Sequence, residues 1–437
     1  MDWNNVIDCK SLSYILGNPP FLGYSVQIKE QKEDLSFVCS ECGKNIDYVV
    51  GWYYKAAKFI QNSIIRAAFV STNSICQGEQ VTGVWKPLME HFKIKIDFAY
   101  RTFRWDNETT NQAHVHCIIV GFSCDSVQTN KVVYDGNNTI VGQNINAYLM
   151  MAEDIFIERR TKPICDVPIM QNGSSPVDGG YFLFTPEEYE QFIANEPLAI
   201  PYIKEFVGSE EFINGKHRYC LWLQDVSPTE LRRLPLVMKR IEGVKQSRLS
   251  SKKEATRRFA DMPTRFMESR QPQTDYLLIP RISSEKRLYI PIGYMSCDVI
   301  TSDRNKTIAD ADLYHFAIIT SIVHMAWMRT VCGRLKSDYN YSNDIVYNNF
   351  PWPTPTDEQK TKIETTAQAI LDARALYPDS SLADLYDDLT MPIELRKAHK
   401  ANDAAVMEAY GFRKDMKEPE IVAELFKMYQ KLTCNKE

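Results

Sequence analysis

Four residues near the start of the chain, Asn18-Pro19-Pro20-Phe21, have the types and spacing to do chemistry. Two consecutive prolines remove two backbone donors and hold the chain nearly fixed. The Asn18 amide and the adjacent backbone carbonyls are then preset acceptors for an –NH₂ group. The Phe21 ring offers a flat base a face to stack on. Such a notch suits methylation of an exocyclic amine. Two acceptors favour a more tetrahedral nitrogen whose lone pair can meet a sulfonium methyl in line. The tetrad contains no cysteine, and the reaction needs no covalent enzyme intermediate. Pro-Pro pairs also mark ordinary turns, so the surrounding elements carry much of the weight.

Those elements read as alternating strands and helices over residues 1–125. Tyr14–Gly17 is a short apolar strand that ends at the tetrad. Residues 46–62 carry apolar side chains at helical period, 66–71 form a buried strand, and 79–92 a second helix. Residues 94–100 and 115–122 are further strands, the last almost wholly apolar as a central strand should be. The pattern predicts an α/β fold, a partial doubly wound methyltransferase sheet. Only 17 residues precede Asn18, too few for the Gly-rich cofactor half that normally comes first. Ligands collect at the carboxyl ends of such strands. The polar loop Ser71–Glu79 and the segment Arg101-Thr102-Phe103-Arg104-Trp105 would therefore adjoin the tetrad, with helix capping and core packing as their plainer roles.

Residues 126–355 change character, with recurrent Gly, Pro and Asn turns between short strand-like runs, and predict an irregular α+β domain. Within it, residues 313–329 read as one buried helix. Residues 356–437 are charged, rich in Ala, Leu and Glu, and predict a helical C-terminal segment with helices over 362–376, 381–389, 392–410 and 419–432. The net charge of −5 hides an asymmetry: residues 238–272 hold ten Lys/Arg and four acids, a local balance of +6. One basic stretch on an acidic body fits a surface that meets phosphates, although a lone charge run is commonly just a solvated helix face. Hydrophobic residues make up 44%, ordinary for a globular protein, and no apolar stretch reaches bilayer-spanning length. The N-terminus shows no signal-peptide pattern. Eleven irregularly placed cysteines point to reduced thiols and a cytoplasmic location.

Residues 14–21, 47–57, 66–80, 98–106 and 116–122 resemble the amino-methyltransferase core of the MmeI-like type II restriction–modification enzymes. So do Phe212-Ile213-Asn214-Gly215-Lys216, the run 283–293 (Ser-Ser-Glu-Lys-Arg-Leu-Tyr-Ile-Pro-Ile-Gly), Gly333-Arg334-Leu335-Lys336-Ser337-Asp338-Tyr339 and residues 346–353. The resemblance covers nearly the whole chain. It implies a site-specific DNA adenine-N6 methyltransferase using S-adenosylmethionine, with a catalytic half over 1–125, a target-recognition domain over 126–355 and a helical end over 356–437. It implies that Asn18 and the Pro19 carbonyl hold the adenine amine, with Pro20 bracing the loop and Phe21 stacking on the ring. Phe103 is the candidate for a second stacking wall. Glu285 and Arg287 are candidates for base contacts, since Glu can accept from cytosine N4 and Arg can donate in pairs to guanine. Arg248, Lys252, Lys253, Arg257 and Arg258 are candidates for phosphate contacts on double-stranded DNA. The target base must leave the duplex first.

The family's nuclease and cofactor-binding half have no counterpart in this sequence, so S-adenosylmethionine is expected to bind mostly to a part outside it, on a separate chain or in a longer protein. Glu30-Gln31-Lys32 and Ser284-Glu285-Lys286 superficially match a nuclease Glu-x-Lys but lack an acidic partner in strand context, and no cleavage is expected. Cys39 and Cys42 form one C-x-x-C half-site, whereas zinc normally takes four ligands; a reduced, metal-free loop is expected. Two rival functions remain: a DNA-binding specificity module without activity of its own, and a methyltransferase for protein glutamine or RNA. The long domain after the core disfavours the latter.

Overall fold

A computed structural model describes residues 3–105, 115–124 and 130–434. The chain forms two compact units: residues 1–164, 326–351 and 417–437 make the first, and residues 165–325 and 352–416 the second.

The first unit is built on a six-stranded mixed sheet. Its strands are β1 (Tyr14–Gly17), β2 (Arg66–Thr72), β3 (Lys95–Trp105), β4 (Val115–Ser123), β5 (Lys131–Asp135) and β6 (Asn138–Gly142), in the order β1-β2-β4-β3-β5-β6. β1 runs parallel to β2, with Gly17 opposite Phe69. β4 is antiparallel to both its neighbours, β2 and β3. β3 and β5 are parallel. The carboxyl ends of β1, β2, β3 and β5 therefore share one edge.

Helices α1 (Lys29–Val38), α2 (Val50–Phe59) and α3 (Glu79–Glu90) fill the connections. α2 is shorter than the periodic run 46–62, because residues 46–48 are used in loop contacts described below. The apolar stripes of α2 and α3 cover one face of the sheet. Tyr53 stacks on Phe122 at 5.5 Å and meets Phe69 and Trp85 edge-on at 5.1 and 5.6 Å. Such aromatic pairs add to the area they bury. The opposite face near β1 is open. Tyr14 and Leu16 are 64% and 73% exposed, and with Ala68 and Phe98 they line an apolar groove of about 350 Å³. Between β3 and β5 the buried Asp97 carboxylate takes the Lys131 ammonium at 2.5 Å.

Two later segments complete this unit. Trp327 packs on Phe350, Phe426 and Tyr429, and Phe426 also meets Tyr148. Gly78, at φ +58°, shows why a glycine is needed where the chain returns. A Cβ there would come within 3.0 Å of Gly333 Cα, and the Gly78 N–H donates to the Val331 carbonyl.

The second unit holds two four-stranded sheets. One orders Ile300–Thr301, Ile203–Val207, Tyr219–Leu221 and Leu183–Phe184; the other orders Gly293–Met295, Tyr276–Pro280, Asn305–Ala309 and Met170–Asn172. Phe182, Phe184, Phe206, Leu221 and Phe266 form a core with Val237, Ile241 and Val244 of the helix Pro235–Leu249. The expected single helix over 313–329 is instead two, Leu313–Ile319 and Ile322–Val331. Thr320 and Ser321 break it, and the Ser321 hydroxyl bonds back to the Ile318 carbonyl, the local competition that hydroxyl side chains offer a helix. Asp357–Ala375 and Ile393–Ala409 pack on each other and on Leu313–Ile319, while Glu418–Cys434 belongs to the first unit. Among the described residues no helix is long and apolar enough to cross a membrane.

Candidate active site and DNA-binding surface

The tetrad leaves β1 at the polar sheet edge. Asn18 and Pro20 are exposed, Pro19 is buried and Phe21 half-buried. The fixed proline thus anchors the loop while the amide faces outward, as an acceptor must. Behind it, the chain is tied down. The Tyr48 N–H donates to the Leu22 carbonyl at 2.9 Å. The buried Gln27 amide donates to the Leu22 and Ile46 carbonyls at 3.1 and 3.0 Å.

β2 delivers its loop to the same edge as a short 3-10 turn, Asn73–Cys76. Asn73 and Ile75 are buried, and the Asn73 amide lies 3.5 Å from the Thr102 hydroxyl on β3. Cys76 is buried and burial pushes its thiol pKa up, so it is no nucleophile at neutral pH. Two strands, β2 and β4, separate β1 from β3. Three strand spacings put Phe103 roughly 14 Å from the tetrad side of the edge. The structure therefore brings Asn18 to Phe21 together with the β2 loop, and sets Phe103, half-buried and opposite Cys117, on the far side of that loop. The side chains of Arg104 and Trp105, and Asp106, lie outside the described residues.

Beyond Thr102 the edge opens into a cleft of about 420 Å³ lined by Asn73, Arg101, Thr102, Asp135, Arg329 and Glu418 among others. Arg101 donates to Asp135 at 2.9 Å and to the Leu149 carbonyl at 3.0 Å. Arg329 pairs with Glu418. A register shift in β3 between Tyr100 and Phe103 lets two successive side chains, Arg101 and Thr102, reach this cleft, as a bulge does. Periodicity alone does not reveal such a shift.

In the second unit the basic segment divides by environment. Lys252, Lys253, Arg257 and Arg258 are exposed. Arg258 pairs with Glu254 at 2.5 Å, and Arg257 donates to the Ser251 carbonyl. Arg248 corrects the sequence expectation. It is 1% exposed, and its guanidinium donates to the carbonyls of Pro176, Val177, Phe259, Met262 and Arg265. A side chain so used cannot reach a phosphate; it clamps the turn after its helix. Arg240 is likewise turned inward, 4.0 Å over the Phe184 ring. Glu285 and Arg287 are half-buried beside the buried Ser283. Glu30-Gln31-Lys32 sits in helix α1. Cys39 and Cys42 are free thiols at the end of α1. A hydrogen bond from the Cys39 thiol to Cys42, together with burial, pushes the Cys39 thiol pKa up.

The first unit is an α/β fold built on a six-stranded mixed sheet, and the second holds two four-stranded sheets. Comparison with known proteins gives the class. The sequence matches "MmeI, DNA-methyltransferase domain" over residues 1–135, "MmeI, target recognition domain" over 151–354 and "MmeI, C-terminal domain" over 355–436. The chain belongs to the MmeI-like type II restriction–modification family. It is 39% identical to DNA methyltransferase A of Bacillus subtilis (strain 168), over 99% of this chain and 50% of that protein. It superposes on the Type IIL restriction-modification enzyme MmeI, solved in complex with DNA, with a TM-score of 0.93 and 46% identity, over 99% of this chain and 59% of that one. The chain thus spans about half the length of the curated relative it matches.

Proposed function

We propose that this chain carries the amine-holding and target-recognition portions of an S-adenosylmethionine-dependent DNA adenine-N6 methyltransferase in a restriction–modification system. The observation that carries the reading is the outward-facing Asn18 on a loop anchored by the buried Pro19, at the edge where three other strands also end. The Asn18 amide oxygen and the Pro19 carbonyl accept from the adenine amine, Pro20 keeps the loop stiff, and Phe21 stacks on the flipped ring. Phe103 bounds the site from the far side of the β2 loop. Lys252, Lys253, Arg257 and Arg258 meet phosphates, and Glu285 and Arg287 meet base edges. In this role DNA is the partner and a metal has no part.

The residues present fit the methyl-acceptor side and not the cofactor. No two glycines in the sequence are separated by a single residue, so the Gly-x-Gly turn that cradles such cofactors has no candidate here. In this role most of the S-adenosylmethionine contacts come from residues outside this sequence. The open, apolar face at β1 supports it: a doubly wound sheet is covered on both faces, and Tyr14, Leu16 and Phe98 line a groove there. Whether that part is a separate chain or the same one, it would cover this face.

The test is methylation of defined duplexes by the chain together with the cofactor-binding part, with N6-methyladenine detected by mass spectrometry. Methylated adenine at one sequence supports the proposal. DNA binding with no methylated base, or methylation at cytosine, refutes it. Sequence-specific binding alone would support the rival specificity-module reading.

A further inference from the structure

Asp47 takes no direct part in holding the amine, yet it sits where the two loops of the candidate site meet. It is 7% exposed. Its Oδ2 accepts from the Ser74 hydroxyl at 2.5 Å and lies 3.3 Å from the Thr72 hydroxyl, and those two hydroxyls are 2.8 Å apart. Its own N–H donates to Gln80 Oε1 at 3.1 Å. Ser74 belongs to the turn after β2, and Gln80 to the first turn of α3. On its other side, a Cβ added to Gly23 would lie 3.7 Å from Asp47 Oδ1, and the next residue, Tyr48, bonds to Leu22 immediately after the tetrad.

A carboxylate is costly to bury unless paired. Among the described residues no Lys or Arg forms an ion pair with Asp47, and hydroxyls and peptide groups surround it. What Asp47 supplies is an acceptor oxygen that fixes the spacing between the chain behind Phe21 and the turn Asn73–Cys76. On the methyltransferase reading these are adjacent walls of one site, and displacing an acceptor by about 1 Å can cost about 100-fold in rate. We propose that Asp47 is a positioning residue for methyl transfer, holding the tetrad loop in register with the β2 loop through Ser74 and Thr72. This rests on the methyltransferase reading.

The experiment uses the complete enzyme, with its cofactor-binding part, and compares wild type, Asp47→Ala, Asp47→Asn, Ser74→Ala and Asn18→Ala. At saturating DNA and S-adenosylmethionine, the single-turnover methylation rate of Asp47→Ala should fall about 10- to 100-fold, with DNA dissociation constants within about twofold of wild type. Asp47→Asn keeps an acceptor oxygen for Ser74 and should recover much of the rate. Ser74→Ala should show a partial loss and decides the question should Asp47→Ala not fold. A wild-type rate in Asp47→Ala or Ser74→Ala overturns the proposal. So does a loss that merely follows the unfolded fraction and is no smaller in Asp47→Asn. Wild-type enzyme that methylates no adenine, or Asn18→Ala at full rate, would instead bring down the underlying reading, and this assignment with it.

Discussion

Asn18 and Arg248 show how differently two polar side chains from suggestive sequence contexts are used. Asn18 stands exposed on a proline-anchored loop. With the cofactor-binding part present, Asn18→Ala should abolish methylation while duplex affinity stays near wild type; gel-shift and methyl-incorporation assays read both, and an active variant would remove Asn18 from the site. Arg248 is spent inside the second unit on five backbone carbonyls. Arg248→Ala would strand those acceptors, at about 3 kcal/mol or more. Denaturant unfolding should show that loss, and the salt dependence of DNA binding should not change. Lysine would not substitute, because its point charge cannot serve a fan of acceptors as a planar guanidinium does. Sequence could not separate Arg248 from its neighbours: all belong to one basic run, and only the packing of the helix Pro235–Leu249 decides which side chain points inward.

Among the elements, the segment after that helix keeps Lys252, Lys253, Arg257 and Arg258 on the surface. Replacing Lys252, Lys253, Arg257 and Arg258 together by Ala should weaken binding to every duplex sequence. It should also flatten the plot of log affinity against log salt, by up to about 0.9 for each phosphate no longer neutralised. An unchanged slope would mean that these side chains touch no phosphate. The interrupted helix pair Leu313–Ile319 and Ile322–Val331 carries a different prediction. His324 is fully buried, and burial lowers its pKa to about 3; burial likewise holds His399 well below the usual histidine range. Both are neutral when folded, whereas the unfolded chain takes up protons below about pH 6.5. Stability should therefore be fully present above that pH and fall as the pH drops from about 6.5 toward about 3. His324→Gln, if it folds, should lose less stability over that window in thermal scans. An equal loss would show that carboxylates alone set the acid limb.

Across the whole molecule, the chain does not fill its units in order: residues 326–351 and 417–437 return to the unit that holds the tetrad. The apolar groove at β1 and the share of the relatives that this chain spans set an expectation for the cofactor. Isothermal titration of S-adenosylmethionine into this chain alone should show weak or no binding. Tight binding would mean that the adenosine is held by residues present here.

Local signals sufficed for what is local. The end of the strand Tyr14–Gly17 is legible because the prolines after it remove backbone donors, and the β2 and β4 runs are legible because buried strands read as nearly continuous apolar runs. The helix-breaking pair Thr320–Ser321 was missed, since apolar periodicity outweighed two hydroxyls. The inward turn of Arg248, the bulge that aims Arg101 and Thr102 at one cleft, and the Asp47–Ser74 link between loops 27 residues apart were all decided by tertiary structure. Each depends on which backbone groups are left to be satisfied once sheets and helices have packed, and a sequence does not carry that accounting.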